Sequence, residues 1–365
     1  MKYTTLGHSG IGVSKIALGT MDFGTLIPEN EAFKILDAFI ENGGNMVDTS
    51  NVYGGGIVEE VIGRWFASRS SDVTDKVVLC SKGRFSPNPD INATGSSRRA
   101  LSRDLEGSLQ RLGRDHVDLY QLHAWDPITP IEESLQFLDD AVRAGKVLYV
   151  GLSNFTGWQL QLAISTAKKM GLVLPVTLQQ QYSLLSRESE WEVIPAARYN
   201  HVGILVWSPL AGGFLTGKYK RGAAPASNTR AGSKNPLYEW VSGDYAAKDR
   251  NWETIREVVR IANELGATPA QVALRWLMDQ PMVVAPITCA RTAEAMVQNL
   301  GAVDLKLSDE QRMALANVSK PICGGYPYGV FGQGQRSRDF VGNGAQNHVV
   351  GKGHPFPTGQ VQTKA

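Results

Sequence analysis

Four ionisable side chains fall at one kind of place in this sequence, the end of a short apolar run or the loop just beyond it. Asp48 sits in NMVDTS, Tyr53 in NVYGGG, Lys82 closes VVLCSK and His123 closes VDLYQLH. Singly, each has an ordinary structural reading. An Asp or Lys at a strand end usually joins a solvated ion pair, and a lone His usually serves a hydrogen bond. Gathered in one pocket they do chemistry. A lysine beside a tyrosine stabilises phenolate, and a carboxylate beside the lysine keeps it charged in a partly dry site. The tyrosine then becomes a usable proton donor near neutral pH, despite an unperturbed pKa of about 10.

The elements that would gather them are legible as an alternation. Apolar, strand-like runs cover residues 15–18, 45–48, 77–81, 117–122, 147–152, 175–178, 203–207 and 282–287. Between them lie amphipathic helix patterns such as 31–41, 100–112, 131–144 and 156–169, with Gly145 placed to cap the third of these. Buried strands separated by helices imply a parallel sheet covered on both faces, and eight such units predict a closed (β/α)₈ TIM barrel. Strand C-terminal ends converge on one face of such a barrel, so the four groups would share a pocket. A doubly wound sheet is the rival architecture, yet no strand runs into GxGxxG. The nearest string, GHSGIG at 7–12, has the wrong spacing and precedes the first core strand, and reads as a β-hairpin turn.

Two segments break the alternation. Residues 209–248 form a long Gly/Ala/Pro/Ser-rich loop after strand seven, of a length that is usually functional or disordered. Residues 321–365 hold ten glycines and four prolines, which predicts an irregular C-terminal tail beyond a barrel domain of residues 1–320. Its aromatics, Tyr326, Tyr328, Phe331, Phe340 and Phe356, suit a segment packed on the barrel or at an interface.

Composition limits the partners. The chain has 365 residues, 42% hydrophobic and 20% charged, enough for one large α/β domain or two small ones. Lys and Arg total 37 against 35 Asp and Glu, a balance that attracts neither nucleic acid nor membrane surface and points to a small-molecule partner. The three cysteines, Cys80, Cys289 and Cys323, form no CxxC pair, so no disulfide framework and no metal site is expected. The first residues hold no apolar signal-like run, and no apolar stretch approaches the roughly 20 residues of a membrane span. A cytoplasmic protein, monomer or homo-oligomer, is expected.

Longer strings sharpen this. MVDTSNVYGGG, LCSKGRF, LQRLGRDHVDLYQLHAWDP, AGKVLYVGLSNF and VWSPLAGGFLTGKY resemble the aldo-keto reductase superfamily over roughly residues 1–318. The wording is nearest the aryl-alcohol dehydrogenase and potassium-channel β-subunit types. The resemblance implies an oxidoreductase that moves a hydride between nicotinamide and an aldehyde or ketone, or the reverse from an alcohol. Tyr53 would donate the proton, Lys82 lower its pKa, Asp48 hold Lys82, and His123 orient the carbonyl. On the cofactor side it implies Thr20, Met21, Asp48, Ser153, Asn154 and Gln179 near the nicotinamide, with Trp207 stacked on its ring. Ser208, Leu210, Gly212 and Lys218 would follow the pyrophosphate, Arg230 would meet a phosphate, and Arg291, Gln298 and Asn299 would hold the adenosine end. NADP(H) is favoured because Arg230 and Arg291 can each grip a phosphate bidentately. NAD(H) stays possible, because Cys289, Ala295 and Gln298 depart from the family's pattern. Met21, Phe23, Phe85 and Trp125 would wall the substrate pocket, or else simply pack loops; an apolar rim suits a carbonyl with a ring or hydrophobic body.

Two other classes stay open. A cofactor-binding regulatory subunit with slow turnover would keep the same motifs. A Schiff-base enzyme would use Lys82 as nucleophile, but leaves Ser153, Asn154, Gln179 and the long loop without a purpose.

Overall fold

The computed structural model of the chain describes residues 1–365 except 228, 234, 323, 330, 331, 333–337, 342, 343 and 348–365. A hairpin opens it: β1 (Tyr3–Thr5) pairs antiparallel with β2 (Gly12–Ser14), and the Leu6 amide donates to the Ile11 carbonyl across the turn expected at 7–12.

Eight strands then close into a parallel barrel. They are β3 (Ala17–Gly19), β4 (Met46–Asp48), β5 (Val78–Gly83), β6 (Val117–Leu122), β7 (Val147–Ser153), β8 (Thr177–Gln181), β9 (Gly203–Trp207) and β10 (Val283–Thr288). Each neighbours the next, and β10 pairs with β3 to complete the ring. The strands differ from expectation mainly at their ends. β8 begins at Thr177 rather than at 175, although the Val176 amide already donates to the Val150 carbonyl at 2.9 Å. β5 runs on to Gly83, which puts Lys82 inside the strand and in register with Gln121.

Helices α1 (Glu29–Glu41), α2 (Ile57–Ala67), the short α3 (Ser71–Thr74), α4 (Arg98–Leu112), α5 (Ile131–Arg143), α6 (Gly157–Met170) and α7 (Val193–Tyr199) connect β3 through β9. In α1 the buried residues Ala32, Ile35, Leu36 and Phe39 repeat at helical spacing, so one stripe faces the strands. Each fully buried large side chain of this kind contributes about 1.5–3 kcal/mol relative to exposure. Thr156 caps α6 with Gln159 in a capping box, and Gly145 (φ 73°) follows the end of α5. Two apolar clusters result. Residues such as Ala17, Met46, Cys80, Leu119 and Leu205 form the smaller one, while the larger lies between strands and helices.

The connection after β9 is more ordered than its composition suggests. It holds a 3₁₀ turn over Ala211–Thr216 and helix α8 (Pro236–Ala246), with Pro236 at the first helical position, where its missing N–H costs nothing. Helices α9 (Asp249–Leu265) and α10 (Pro269–Met278) lead into β10, and α11 (Ala293–Leu300) and α12 (Asp309–Val318) follow it. No helix among the described residues is long and apolar enough to cross a membrane.

The chain divides into two compact units, Met1–Ser319 and Lys320–Ala365. Within the second, β11 (Arg338–Val341) and β12 (Gly344–Asn347) pair antiparallel, a short hairpin in a segment expected to be wholly irregular. Cys323, Phe331 and Phe356 lie outside the described residues.

Candidate active site

The C-terminal ends of β4, β5 and β6 bring the four ionisable groups together. Lys82 Nζ donates to Asp48 Oδ2 at 2.6 Å and to the Thr49 carbonyl at 2.8 Å, and lies 3.4 Å from the Tyr53 hydroxyl. Lys82 has no exposed surface and Asp48 only 3%. Burying such a pair is costly unless its remaining polar atoms are satisfied. They are: Gln179 Nε2 donates to the second carboxylate oxygen, Asp48 Oδ1, at 2.8 Å, and the Thr49 carbonyl and Tyr53 hydroxyl face the remaining Lys82 protons. The Thr20 hydroxyl holds the Asp48 backbone carbonyl at 2.9 Å.

The electrostatics follow from this packing. Burial pulls the Lys82 ammonium down, but Asp48 and Tyr53 outweigh it and hold its pKa above the ordinary value. For Tyr53 burial is the largest influence and pushes the phenol up; Lys82 pulls it back, Asp48 pushes again, and the balance is raised. Lys82 thus pulls in the direction expected from sequence, and burial decides the net sign. Tyr53 is therefore fully protonated at neutral pH and has a proton to give. His123 is pushed down to about 3 by burial and by the positive charges of Lys82 and Arg84, so its imidazole is neutral. Its Nδ1 lies 3.1 Å from the Ser50 hydroxyl, which orients the ring, and its ring meets Tyr53 edge-on at 5.9 Å. Ser50 was not singled out from sequence, although it stands only two residues after Asp48.

A second set surrounds the first. Asn154, at φ 56°, donates to the His123 carbonyl at 2.9 Å and to the Ser153 hydroxyl at 3.1 Å, and accepts from Trp207 Nε1 at 3.0 Å. Its own amide donates to the Gln179 carbonyl at 3.0 Å. Beyond β9, Ser208, Ala211, Gly212 and Gly213 all take positive φ, a conformation that can turn successive N–H groups to one side as an anion cradle. A Cβ on Gly213 would lie 2.7 Å from Lys218 Nζ, so the glycine lets the ammonium lie against the turn. Leu210 precedes the turn, half-buried.

Three cations crowd this end. Burial, then Arg230 and Arg291, pull the Lys218 ammonium below its ordinary value, which is the signature of a site that would gain from an anion. Arg230 is not idle: it donates twice to Asp22 Oδ2, at 3.1 and 2.7 Å, while the Tyr238 hydroxyl donates to Asp22 Oδ1 at 2.9 Å. Asp22, between Met21 and Phe23, was also missed from sequence. Arg291 and Gln298 are exposed, and Asn299 is buried in α11. The positive-φ turn, the cations and the Asn154–Trp207 pair supply the donors and positive charge that a nicotinamide dinucleotide would need.

The expected pocket walls divide. Met21 is exposed, Phe85 meets the His123 ring edge-on at 5.0 Å, and Trp125 stands edge-on to Phe155 and to the exposed Trp158, each at 5.4 Å. Phe23 has no exposed surface and belongs to the larger core cluster, so it supports the mouth from beneath rather than facing it.

A closed eight-stranded parallel barrel whose strand ends hold a buried Lys–Asp pair beside a tyrosine places the chain in the (β/α)₈ barrel class. The model of the Aldo/keto reductase family matches residues 15–320, and the chain belongs to that family. It is 40% identical over 334 residues to an uncharacterized oxidoreductase of Bacillus subtilis, YrpG, covering 89% of this chain and 98% of that one. It is 34% identical over 310 residues to a probable voltage-gated potassium channel subunit beta of Oryza sativa, covering 84% and 92%. It is 29% identical over 343 residues to an NADP(+) aryl-alcohol dehydrogenase of Phanerodontia chrysosporium, covering 89% and 87%.

Proposed function

We propose that this protein is an NADPH-dependent reductase of aldehydes or ketones, running in reverse on alcohols, with Tyr53 as general acid and base. The contact of Lys82 with both Asp48 and Tyr53 carries this reading. Bound nicotinamide supplies or accepts the hydride. Tyr53 holds a proton on its hydroxyl and gives it to the carbonyl oxygen as negative charge develops there. Lys82 stabilises the phenolate left behind, and Asp48 keeps Lys82 charged. Neutral His123, oriented by Ser50 and backed by Asn154, positions the same oxygen. Lys218, Arg230 and Arg291 would bind the phosphates, the arginines favouring NADP(H). The compartment would be cytoplasmic and the partner a small carbonyl compound or alcohol, walled by Met21, Phe85 and Trp125.

A panel of aldehydes and ketones, followed by nicotinamide absorbance with NADPH and with NADH, tests this. Turnover is expected with NADPH, and Tyr53→Phe should lower it by at least the ~10²-fold typical of acid catalysis while NADPH binding stays near wild type. Undiminished turnover by Tyr53→Phe would end the mechanism. The likeness to a channel β-subunit supports a second reading, a cofactor-binding regulatory subunit. NADPH binding without turnover of any panel member would favour it.

A further inference from the structure

The segment after β5 holds an arginine that the proton-transfer chemistry does not use. Gly83 ends the strand so close to its neighbours that a Cβ there would come 2.1 Å from the Tyr120 hydroxyl and 3.1 Å from the Asp104 Cβ. Arg84 follows at φ 129°, where side-chain-bearing residues are strained. Its surroundings hold it there. The Arg84 amide donates to Asp104 Oδ2 at 2.9 Å, and its carbonyl accepts from the Gly95 amide at 2.8 Å and the Thr94 hydroxyl at 3.0 Å. The Phe85 carbonyl is tied in turn to Asn51 Nδ2 at 2.9 Å.

The strained backbone carries a cation to the reacting centre. The Arg84 guanidinium carbon lies 4.3 Å from the centroid of the Phe85 ring, and that ring lies 5.0 Å from the ring of His123. Among the described residues no carboxylate lies within ion-pair distance of Arg84, and its Nε is buried with no hydrogen-bond partner. Other arginines in this part of the molecule are matched: Arg230 by Asp22, and Arg111 by Glu59. Asp126 is close enough for Arg84 to act on it through charge but lies beyond ion-pair distance, its carboxylate being taken by the Ser96 and Ile128 amides and the Thr129 hydroxyl. A part-buried guanidinium with no anion in direct contact recovers only part of the solvation it gives up. A planar, two-pronged carboxylate is the ligand that matches it best.

We propose that Arg84 recognises an anionic group on the substrate, so that the site takes carbonyl compounds bearing a carboxylate, with the body between the two groups lying along Phe85. This rests on the carbonyl-reducing function proposed above and names its substrate class. Arg84 acts as a specificity residue and takes no part in proton or hydride transfer.

A matched pair, 4-carboxybenzaldehyde and 4-methylbenzaldehyde, tests it. Wild type should favour the carboxylated aldehyde in kcat/KM by about tenfold or more, an advantage that shrinks as ionic strength rises. Arg84→Met should abolish the preference, mainly by raising KM for the carboxylated aldehyde. Arg84→Lys should restore part of it. Arg, Met and Lys all bear a Cβ, so the backbone strain at φ 129° is common to the three. Binding of the same two aldehydes, read by quenching of tryptophan fluorescence, needs no turnover. Arg84-dependent binding of the carboxylated aldehyde without reduction of either would overturn the reductase reading and keep the anion site. Equal handling of the pair by wild type, or a preference that survives in Arg84→Met, would overturn the anion site and leave the reductase reading standing. Should Arg84→Met not fold, the salt-sensitive preference of the wild type decides alone, and its absence overturns the proposal.

Discussion

At the scale of residues, the protonation states are set by what surrounds each group more than by its partner. His123 has a guanidinium, an ammonium and little water near it, and its pKa falls to about 3. The imidazole should then be neutral throughout the working range, so that it positions oxygen through a neutral N–H and contributes no ionisation to the rate. The expected result is a His123 carbon resonance that does not titrate between pH 5 and pH 8, roughly the span in which an ordinary histidine changes charge. A midpoint near the ordinary 6.5 would refute it. The sign for stability follows. A base whose folded pKa is depressed binds more protons unfolded, so its contribution is intact above 6.5 and is lost as pH falls below it.

At the scale of elements, the connection after β9 is fastened to the β3 end of the barrel through one carboxylate. Asp22 takes two bonds from Arg230 and one from Tyr238, and is only 4% exposed. Removing Arg230 leaves that carboxylate buried without its cation, a loss of about 3–5 kcal/mol for pairs of this kind. Absolute cofactor affinity in such a variant therefore mixes fastening with phosphate binding. The ratio of NADPH to NADH affinity separates them, since both dinucleotides feel the fastening and only one has the extra phosphate. In the double variant Arg230→Ala, Arg291→Ala that ratio should fall severalfold, measured by fluorescence titration. An unchanged ratio would remove both arginines from 2′-phosphate recognition.

At the scale of the whole molecule, among the described residues every member of the two core clusters lies within Met1–Ser319, the last of them being Leu315. The end of that unit is also anchored within it, because Arg187 donates to the Ala316 carbonyl at 2.7 Å and the Ser319 hydroxyl at 2.9 Å. A chain lacking residues 325–365 should accordingly still unfold cooperatively, with a Tm within about 2–4 °C of the full chain, the shift that ~1 kcal/mol produces in a domain of roughly 150–250 residues or more. Loss of a cooperative transition would show that the tail is part of the fold. A raised KM or a changed particle mass in the folded truncation would identify what the tail serves.

The barrel and the grouping of Asp48, Tyr53, Lys82 and His123 were readable from sequence because both rest on local patterns. Strand-length apolar runs, helix periods and a reactive residue at each strand end are written within a few residues, and parallel closure then carries those ends to one face. Helix α8 was less readable, since its Gly and Ser neighbours mask a Pro-initiated turn of helix. What only the tertiary structure decided are the partnerships between distant residues and the fields they make. Asp22 and Arg230 are 208 positions apart, and Ser50 and His123 are 73 apart; neither pair has a spacing that sequence could display. The raised pKa of Tyr53 and the unpartnered Nε of Arg84 likewise depend on how much water and which charges the folded chain leaves around each group, and desolvation is a property of the surroundings that no residue carries in its own name.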